Sequence, residues 1–413
     1  MFEQYREIDT ALCLVARDIK ILSYLNWSLS VKEKFLEDYR KGVSRFPEIN
    51  YPPLSYRREK EILTSIQKQC SKADPVGRYL HSTATSYLLC AEMLEGAGTE
   101  QFGIKSKEVY SQPRSKILNQ SITHLDIAEN ILAVTDDIKH HYSYDESAIC
   151  ILADTVADEI RQVVNRVMPG RPIPVVLDQS LSSKAAAGAE RIRVRSSTCF
   201  SRHDINQLVQ HECLVHSLTA TNGRLQTNLT SLSLSAPRTL ETQEGLAVFA
   251  EFITHSIDLR RLRTLAMRVK AIDMGLEGAN FIEIFEFFLS QGFSDSESFS
   301  SASRVFRGGD VRGGSVFTKD CVYLTGLNEV HTFMKKAIQE GKTDYPAYLF
   351  CGRLSLGDVL DFEELFQQGF LTTPKYLPEW AQDRSTLTAF LLYSSLIGSF
   401  DLQSLKLEDF RNK

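Results

Sequence analysis

The middle of the chain carries the sequence His-Glu-Cys-Leu-Val-His at residues 211–216. Two imidazoles can bind a divalent metal ion, and the glutamate between them can handle a proton. The common zinc-helix pattern places its histidines four residues apart, whereas these are five apart. At about 100° per residue, the two rings of a regular α-helix would point roughly 140° apart. We therefore expect a π-type turn, or a helix end, between His211 and His216.

Two further segments in the second half of the chain carry recognisable motifs. They are Thr-Gln-Glu-Gly-Leu-Ala at residues 242–247 and Phe-Thr-Lys-Asp-Cys-Val-Tyr-Leu-Thr-Gly at residues 317–326. Together with the histidine motif, in this order and spacing, they resemble the QEGLA-motif family of metallopeptidases. The bacterial members of that family carry the label flavohaemoglobin-expression-modulating protein. The family is similar to the microtubule-associated tyrosine carboxypeptidases, so the resemblance implies a zinc-dependent hydrolase.

The resemblance implies a set of zinc ligands. A catalytic zinc site has three protein ligands and one open position for water. His211 and His216 supply two ligands, and the family motif assigns the third to Glu244. Glu241 is an acidic alternative three residues earlier. It ranks second because we expect it to lie outside the start of the helix that carries Glu244.

Other residues are assigned roles around that ion. Glu212 is expected to act as general base, and Tyr323 to donate a hydrogen bond to the oxyanion that develops on the substrate. Glu251 shares a helical face with Glu244 and is expected to orient a ligand imidazole, with a surface ion pair as the alternative. His255 lies on the same face, and a core histidine is the expected role for it.

Similarity to tyrosine carboxypeptidases implies removal of a C-terminal residue, such as tyrosine, from a peptide or protein. Such an enzyme must bind the terminal α-carboxylate, which arginine and lysine do best. Arg307 and Lys319 are the candidates, with Arg193 as an alternative, and Lys319 is expected on one helical face with Tyr323. Two other hypotheses stay open. The protein could be a regulator or scaffold that keeps the fold, or a zinc hydrolase of a non-peptide amide.

The composition is that of a globular protein, with 43% hydrophobic and 24% charged residues. The net charge of −5 is spread without a basic tract, so we expect no nucleic-acid partner. There is no run of ~18 apolar residues and no signal peptide, which predicts a cytoplasmic protein without a membrane segment. Eight cysteines, scattered singly from Cys13 to Cys351, are typical of reduced thiols rather than a disulfide framework.

Helical periodicity dominates the sequence and is clearest at residues 148–168. Residues 173–178 and 191–195 have the short or alternating apolar pattern of strands. We therefore predict an α+β fold, mostly helical and zincin-like, with a small sheet beside the active-site helix. An edge of this sheet could pair with an extended peptide or simply cover the core. The expected division is a helical region at 1–165 and a catalytic region at 166–413, or one continuous domain.

Three local expectations concern helix ends. Asp204 is expected to cap the metal-binding helix, because an aspartate side chain can accept from free backbone N–H groups. Gly223 is expected to close that helix. Adjacent histidines diverge on a helix, so the pair His140 and His141 is expected at a solvated helix end rather than in a metal site.

Overall fold

The computed structural model describes residues 4–138, 150–171, 173–179, 181, 183–188, 190–401 and 409–410. Within these ranges the chain is mostly helical with one three-stranded sheet, which confirms the predicted α+β class. The pair His140 and His141 lies outside the described residues. No helix within these ranges is both long and apolar enough to cross a membrane. The cytoplasmic location stays a prediction.

Eight helices precede the sheet within the described ranges. They are α1 Gln4–Ala16, α2 Ile21–Leu25, α3 Leu29–Arg40, α4 Arg57–Gln69, α5 Pro75–Glu95, α6 Glu100–Val109, α7 His124–Asp136 and α8 Ala153–Val167. The helices that follow the sheet are α9 Arg202–Leu208, α10 Leu218–Leu225, α11 Leu240–Ile253, α12 Leu259–Leu276, α13 Phe281–Ser290, α14 Asp295–Phe306, α15 Val322–Gln339, α16 Tyr345–Tyr348, α17 Leu356–Asp361, α18 Glu363–Gln367, α19 Glu379–Gln382 and α20 Arg384–Ile397. A π-helix at Val209–Ser217 joins α9 to α10. Short 3₁₀ turns lie at Thr230–Ser233, Pro237–Thr239 and Thr318–Cys321.

The sheet consists of β1 Val175–Asp178, β2 Ala185–Ala187 and β3 Ile192–Arg195, in the spatial order β1-β3-β2. Strand β3 pairs parallel with β1 and antiparallel with β2. Ile192 and Val194 of β3 are buried, as their alternation predicts. Strand β2 was not predicted, because three alanines carry little strand propensity. It lies at the edge of the sheet, against the π-helix.

Ser201, and not Asp204, caps α9. The Ser201 side chain accepts from the Asp204 N–H, and the Asp204 carboxylate accepts from the Ser201 N–H, which is a capping box. The expectation for Gly223 is also wrong, since α10 runs on to Leu225. A Cβ at Gly223 would lie 2.4 Å from the carbonyl oxygen of Leu232. Because Gly223 has no side chain, the backbone at Leu232 can pass close to α10. Gly223 does not end the helix.

Helices α11 and α15 cross at a pair of glycines. A Cβ on Gly245 would lie 2.2 Å from the backbone of Gly326, and a Cβ on Gly326 would lie 2.2 Å from the carbonyl oxygen of Glu241. The two backbones are in direct contact, which no larger residue would permit. Helix α11 carries Glu244 and α15 carries Tyr323, so this crossing sets the distance between two candidate site residues.

The main hydrophobic cluster includes residues from Tyr5 near the start of the chain to Leu391 in α20. A second, aromatic cluster joins α3 to α13 and α14, with Phe35 packed edge-on against Phe281 and Phe285. The main cluster thus contains residues from both sides of the proposed boundary at 165. The division into two regions stays a prediction.

One cysteine pair departs from the expected reduced thiols. Cys150 and Cys199 form a disulfide. The neighbouring backbone brings them together, because Ile151 and Phe200 exchange both of their N–H to carbonyl bonds, at 2.9 and 3.1 Å. This contact between distant segments is not visible in the spacing of the cysteines. The other six cysteines are free.

Candidate active site

The π-helix brings the two motif histidines together. Its hydrogen bonds span five residues instead of four, so side chains five apart lie on one face. The ring centroids of His211 and His216 are 4.8 Å apart, with the planes nearly perpendicular at 86°. The predicted departure from α geometry between these histidines is therefore confirmed.

Glu244 of α11 completes a group of three candidate ligands with His211 and His216. Their candidate ligand atoms all lie within 4.8 Å of one another. Glu244 Oε2 is 3.2 Å from His211 Nε2 and 3.5 Å from His216 Nε2. Ligands about 2.0–2.2 Å from a tetrahedral zinc ion lie roughly 3.3 Å from one another. The side chains therefore fit a zinc ion in both chemistry and spacing.

Glu251 lies behind His211. Its Oε1 accepts from His211 Nδ1 at 2.7 Å, and Gln207 and Arg261 also donate to it, at 3.1 and 3.0 Å. A proton held on Nδ1 leaves the Nε2 lone pair free to bind a metal ion. The hydrogen bond is the one that the predicted orienting role requires, and that role stays a prediction. The alternative of a surface ion pair is wrong, since Glu251 is fully buried.

The acids around His211 alter its protonation. Burial alone would lower the pKa of His211, but hydrogen bonds to Glu244 and Glu251 outweigh it and raise the pKa to about 10. Burial raises the pKa of Glu251, but Arg261 and His211 outweigh this and lower it to about 2. The pKa of Glu244 is likewise held well below its usual value by Lys319 and the histidines, against the effect of burial. Protons and a metal ion thus compete for His211.

Glu212 lies next to the ligand group but is not part of it. It is half-buried, and its Oε2 accepts a hydrogen bond from the backbone N–H of Ala187 at 2.9 Å. The edge strand β2 therefore orients this carboxylate. Glu241 is also outside the group: it lies in the first turn of α11, not before it as expected, and accepts from Ser111 at 2.5 Å. The structure brings Glu244, and not Glu241, to the histidines.

Lys319 and Tyr323 lie close to the candidate ligands. Lys319 Nζ is 3.7 Å from Glu244 Oε1 and 5.3 Å from the centre of the Tyr323 ring. The Tyr323 ring is 6.3 Å from the ring of His211. Lys319 belongs to the 3₁₀ turn before α15 rather than to the helix itself, contrary to expectation. The two side chains nevertheless meet, as their spacing predicts.

Three arginines lie near Tyr323 that the sequence did not indicate as site residues. The guanidinium groups of Arg261 and Arg268 of α12 lie 5.9 and 5.2 Å from the centre of the Tyr323 ring. Arg304 of α14 also interacts electrostatically with Tyr323. Arg304 forms an ion pair with Asp320, which Arg268 approaches at 3.8 Å. Arg261 and Arg268 are two helical turns apart, a spacing that could have indicated a common face. Charged residues so spaced more often face solvent, however.

Three other residues with expected roles lie outside the group of candidate ligands. Arg307 is buried with its guanidinium 5.3 Å above the Phe317 ring, and the described residues show no contact between it and a candidate ligand. Arg193 pairs with Asp178 inside the sheet at 3.3 Å. His255 is exposed beyond the end of α11 with a φ of 55°, so the core role expected for it is wrong.

Arg353 was not considered from the sequence and reaches the ligands from the C-terminal part of the chain. It is buried, and one of its terminal nitrogens lies 3.5 Å from the carbonyl oxygen of His216. Burial lowers the pKa of Arg353, while Tyr87, Glu244 and Glu212 act in the opposite direction. The guanidinium is thus in the electrostatic range of two carboxylates of the site.

Two imidazoles and a carboxylate at metal-binding spacing, with a separate carboxylate beside them, define a candidate metal centre of the hydrolytic type. The family model of microtubule-associated tyrosine carboxypeptidase matches residues 33–399, and the chain belongs to this family. The family match confirms the resemblance seen in the three motifs and extends it over most of the helical N-terminal region. No curated protein matches the sequence.

Proposed function

We propose that the protein is a zinc-dependent metallopeptidase of zincin-like fold that removes the C-terminal residue from a peptide or protein. The supporting observation is the convergence of His211, His216 and Glu244 at zinc-binding distances, with Glu212 beside them and outside the group. Tyrosine is the first residue to test, because the family is named for tyrosine carboxypeptidase activity.

His211, His216 and Glu244 would hold the ion. A bound zinc would supply Lewis-acid activation of water and of the scissile carbonyl. Glu212 accepts the proton of the attacking water and delivers it to the leaving amine. The Ala187 N–H holds the Glu212 carboxylate in place, since it donates to Oε2 at 2.9 Å. The base is therefore positioned by the sheet edge before a substrate arrives.

Tyr323 is the proposed donor to the oxyanion. Its ring lies 6.3 Å from that of His211, and the phenol can donate a hydrogen bond to a negative oxygen. Lys319 and Arg268 lie above the same ring, at 5.3 and 5.2 Å from its centre. Positive charge near the donor favours a developing negative charge in a largely buried site.

The charges around Tyr323 suit an anionic substrate. Five cationic side chains interact electrostatically with Tyr323. They are Arg261, Arg268, Arg304, Arg307 and Lys319. Three carboxylates pair with them: Glu244, Glu251 and Asp320. The excess of positive charge attracts a substrate carboxylate. Lys319 and Arg307 remain proposed contacts for it, Lys319 being the one beside a candidate ligand.

The scaffold hypothesis and the non-peptide amide hypothesis remain alternatives. A scaffold has no use for an oriented base next to three converging ligands, and so we rank it below the enzyme. A mixed pool of peptides with free C-termini, incubated with the protein and read by mass, tests the proposal. We expect loss of one terminal residue, and none after treatment with a chelator. A wild-type protein that holds stoichiometric zinc and cleaves nothing would contradict it.

A further inference from the structure

Arg353 forms no ion pair within the described part of the chain, unlike Lys319, Arg261 and Arg304 near the site. Its side chain lies in the segment between α16 and α17, with 8% of the residue exposed. Its backbone N–H donates to the Leu232 carbonyl at 2.7 Å, which ties the segment to the turn that follows α10. Among the described residues, the one hydrogen bond of the guanidinium goes to the His216 carbonyl, at 3.5 Å, and its buried Nε has no hydrogen-bond partner.

Three neighbouring cations are neutralised, whereas Arg307 shares with Arg353 a buried Nε without a partner among the described residues. Lys319 lies 3.7 Å from Glu244, and Arg261 donates to Glu251 at 3.0 Å. Arg304 pairs with Asp320. A buried charge without a partner is costly, and such a group is retained where a ligand supplies the partner. The unused donors of Arg353 therefore point to an anionic ligand.

The distance along a substrate decides which cation can hold the terminal carboxylate. Only one residue separates the scissile carbonyl from the α-carboxylate, and a residue spans at most about 3.6 Å. The carboxylate must therefore bind next to the candidate ligands. Arg353 donates to the backbone carbonyl of one of them, His216, whereas Arg307 lies over the Phe317 ring and has no contact with a candidate ligand among the described residues.

We propose that Arg353 binds the α-carboxylate of the substrate and makes the enzyme specific for free C-termini. This inference rests on the carboxypeptidase function proposed above. The planar guanidinium can offer two parallel N–H donors to a carboxylate, which an ammonium cannot. In this arrangement Arg353 replaces Lys319 and Arg307 as the direct contact of the carboxylate. Lys319 neutralises Glu244, and Arg307 contributes to the surrounding positive field.

The test uses a peptide that ends in tyrosine, as the free acid and as the C-terminal amide. Cleavage is measured with the zinc-loaded wild type, and binding is measured in the Glu212→Gln background, where turnover is suppressed. We expect the wild type to prefer the acid. Arg353→Gln should lower kcat/KM for the acid by roughly 10²-fold and bring acid and amide to the same level. Arg353→Lys should restore part of the preference.

Zinc content and thermal unfolding serve as controls for each variant. Arg312→Gln is the matched surface change, since 76% of the Arg312 side chain is exposed, and it should leave both peptides unaffected. If Arg353→Gln does not fold, the Lys variant, which keeps the buried charge, provides the comparison. An acid preference that Arg353→Lys leaves untouched would overturn the inference in that case.

The outcomes separate this inference from the proposed function. A folded, zinc-loaded Arg353→Gln that keeps the acid preference overturns the role of Arg353 and leaves the carboxypeptidase standing. The wild type could also cleave nothing and yet bind the acid better than the amide through Arg353. That result supports the role of Arg353 and contradicts the proposed peptidase activity. Equal binding of acid and amide by wild type, or binding of neither, overturns the inference.

Discussion

Glu251 Oε1 accepts a hydrogen bond from His211 Nδ1 at 2.7 Å, and the same carboxylate is held by Arg261. This chain of contacts fixes the orientation of the His211 ring. We expect Glu251→Gln to weaken zinc binding by roughly 10- to 100-fold, because Gln accepts more weakly and no longer pairs with Arg261. Competition with a chelating dye measures the affinity. Glu241→Gln is the control on the same helix, and equal losses in both variants would contradict the orienting role.

Zinc content tests the candidate ligands themselves. We expect about one zinc per chain in protein purified without added metal, as for a single three-ligand site. His216→Ala should empty the site, since two ligands bind too weakly to survive purification. His255→Ala is the control, because this histidine is exposed and lies outside the candidate group. Equal zinc in wild type and His216→Ala, by elemental analysis, would rule out this site.

The crossing of α11 and α15 should depend on its glycines. Gly245→Ala would place a Cβ 2.2 Å from the backbone of Gly326, so the helices must separate. We expect a loss of about 2 kcal/mol or more in the free energy of unfolding, from denaturant titration. Gly357→Ala in α17 is the control, because its Cβ would meet only the Ser355 side chain at 4.0 Å. Similar free energies of unfolding for the two variants would contradict the close contact between the backbones of Gly245 and Gly326.

The pH dependence of stability follows from His211 and Glu251. In chelator-treated protein the pKa of His211 is raised to about 10, so its stabilising effect is present below about pH 6.5 and is lost as the pH rises through 10. The pKa of Glu251 is lowered to about 2, so its effect is present above about pH 4.5 and is lost as the pH falls towards 2. We expect the chelated protein to be most stable between these limits.

Thermal unfolding between about pH 2 and about pH 11 checks this profile, since the range includes both losses. Zinc-loaded protein is the control, since the ion replaces the proton on His211 and should remove the alkaline loss. For the same reason, zinc affinity should rise with pH over the range in which His211 is protonated. A zinc affinity that falls with rising pH would contradict the competition between protons and zinc for His211.

The grouping of the three candidate ligands could be predicted because it depends on residue type and local spacing. The five-residue step between His211 and His216 required a departure from the α-helix, and the π-helix supplies it. Glu244 came from a motif of contiguous residues. The α+β class followed from helical periodicity and the alternation in β3. These features are local, so one sequence contains them.

The residues that were missed depend on tertiary contacts. Arg353 reaches His216 because the segment before it is held on the metal-binding helix by Asn222, which donates to the Phe350 carbonyl at 2.8 Å. Neither the cysteine pair nor strand β2 has a local signal, since each depends on a partner segment. The exposed position of His255 likewise follows from the end of α11 at Ile253. Periodicity alone does not locate such an end.

Glu212 is the proposed general base. Its carboxylate accepts a hydrogen bond from the Ala187 N–H and lies outside the group of candidate ligands. Gln is nearly the same size and still offers an oxygen to the Ala187 N–H, but it cannot accept the proton of the attacking water. We therefore expect Glu212→Gln to keep its zinc and its thermal stability, and to lose roughly 10²- to 10⁴-fold in kcat.

The measurement is peptide cleavage followed by mass, with zinc content determined on the same samples. Glu190→Gln serves as the matched control, because Glu190 is an exposed glutamate that pairs with Arg224 on the surface. A Glu212→Gln variant without zinc would make Glu212 part of the ligand set. A zinc-loaded variant as active as wild type would remove this residue from the mechanism, and another group would have to take the proton. Loss of kcat with full zinc occupancy is the result expected of a proton-transfer role.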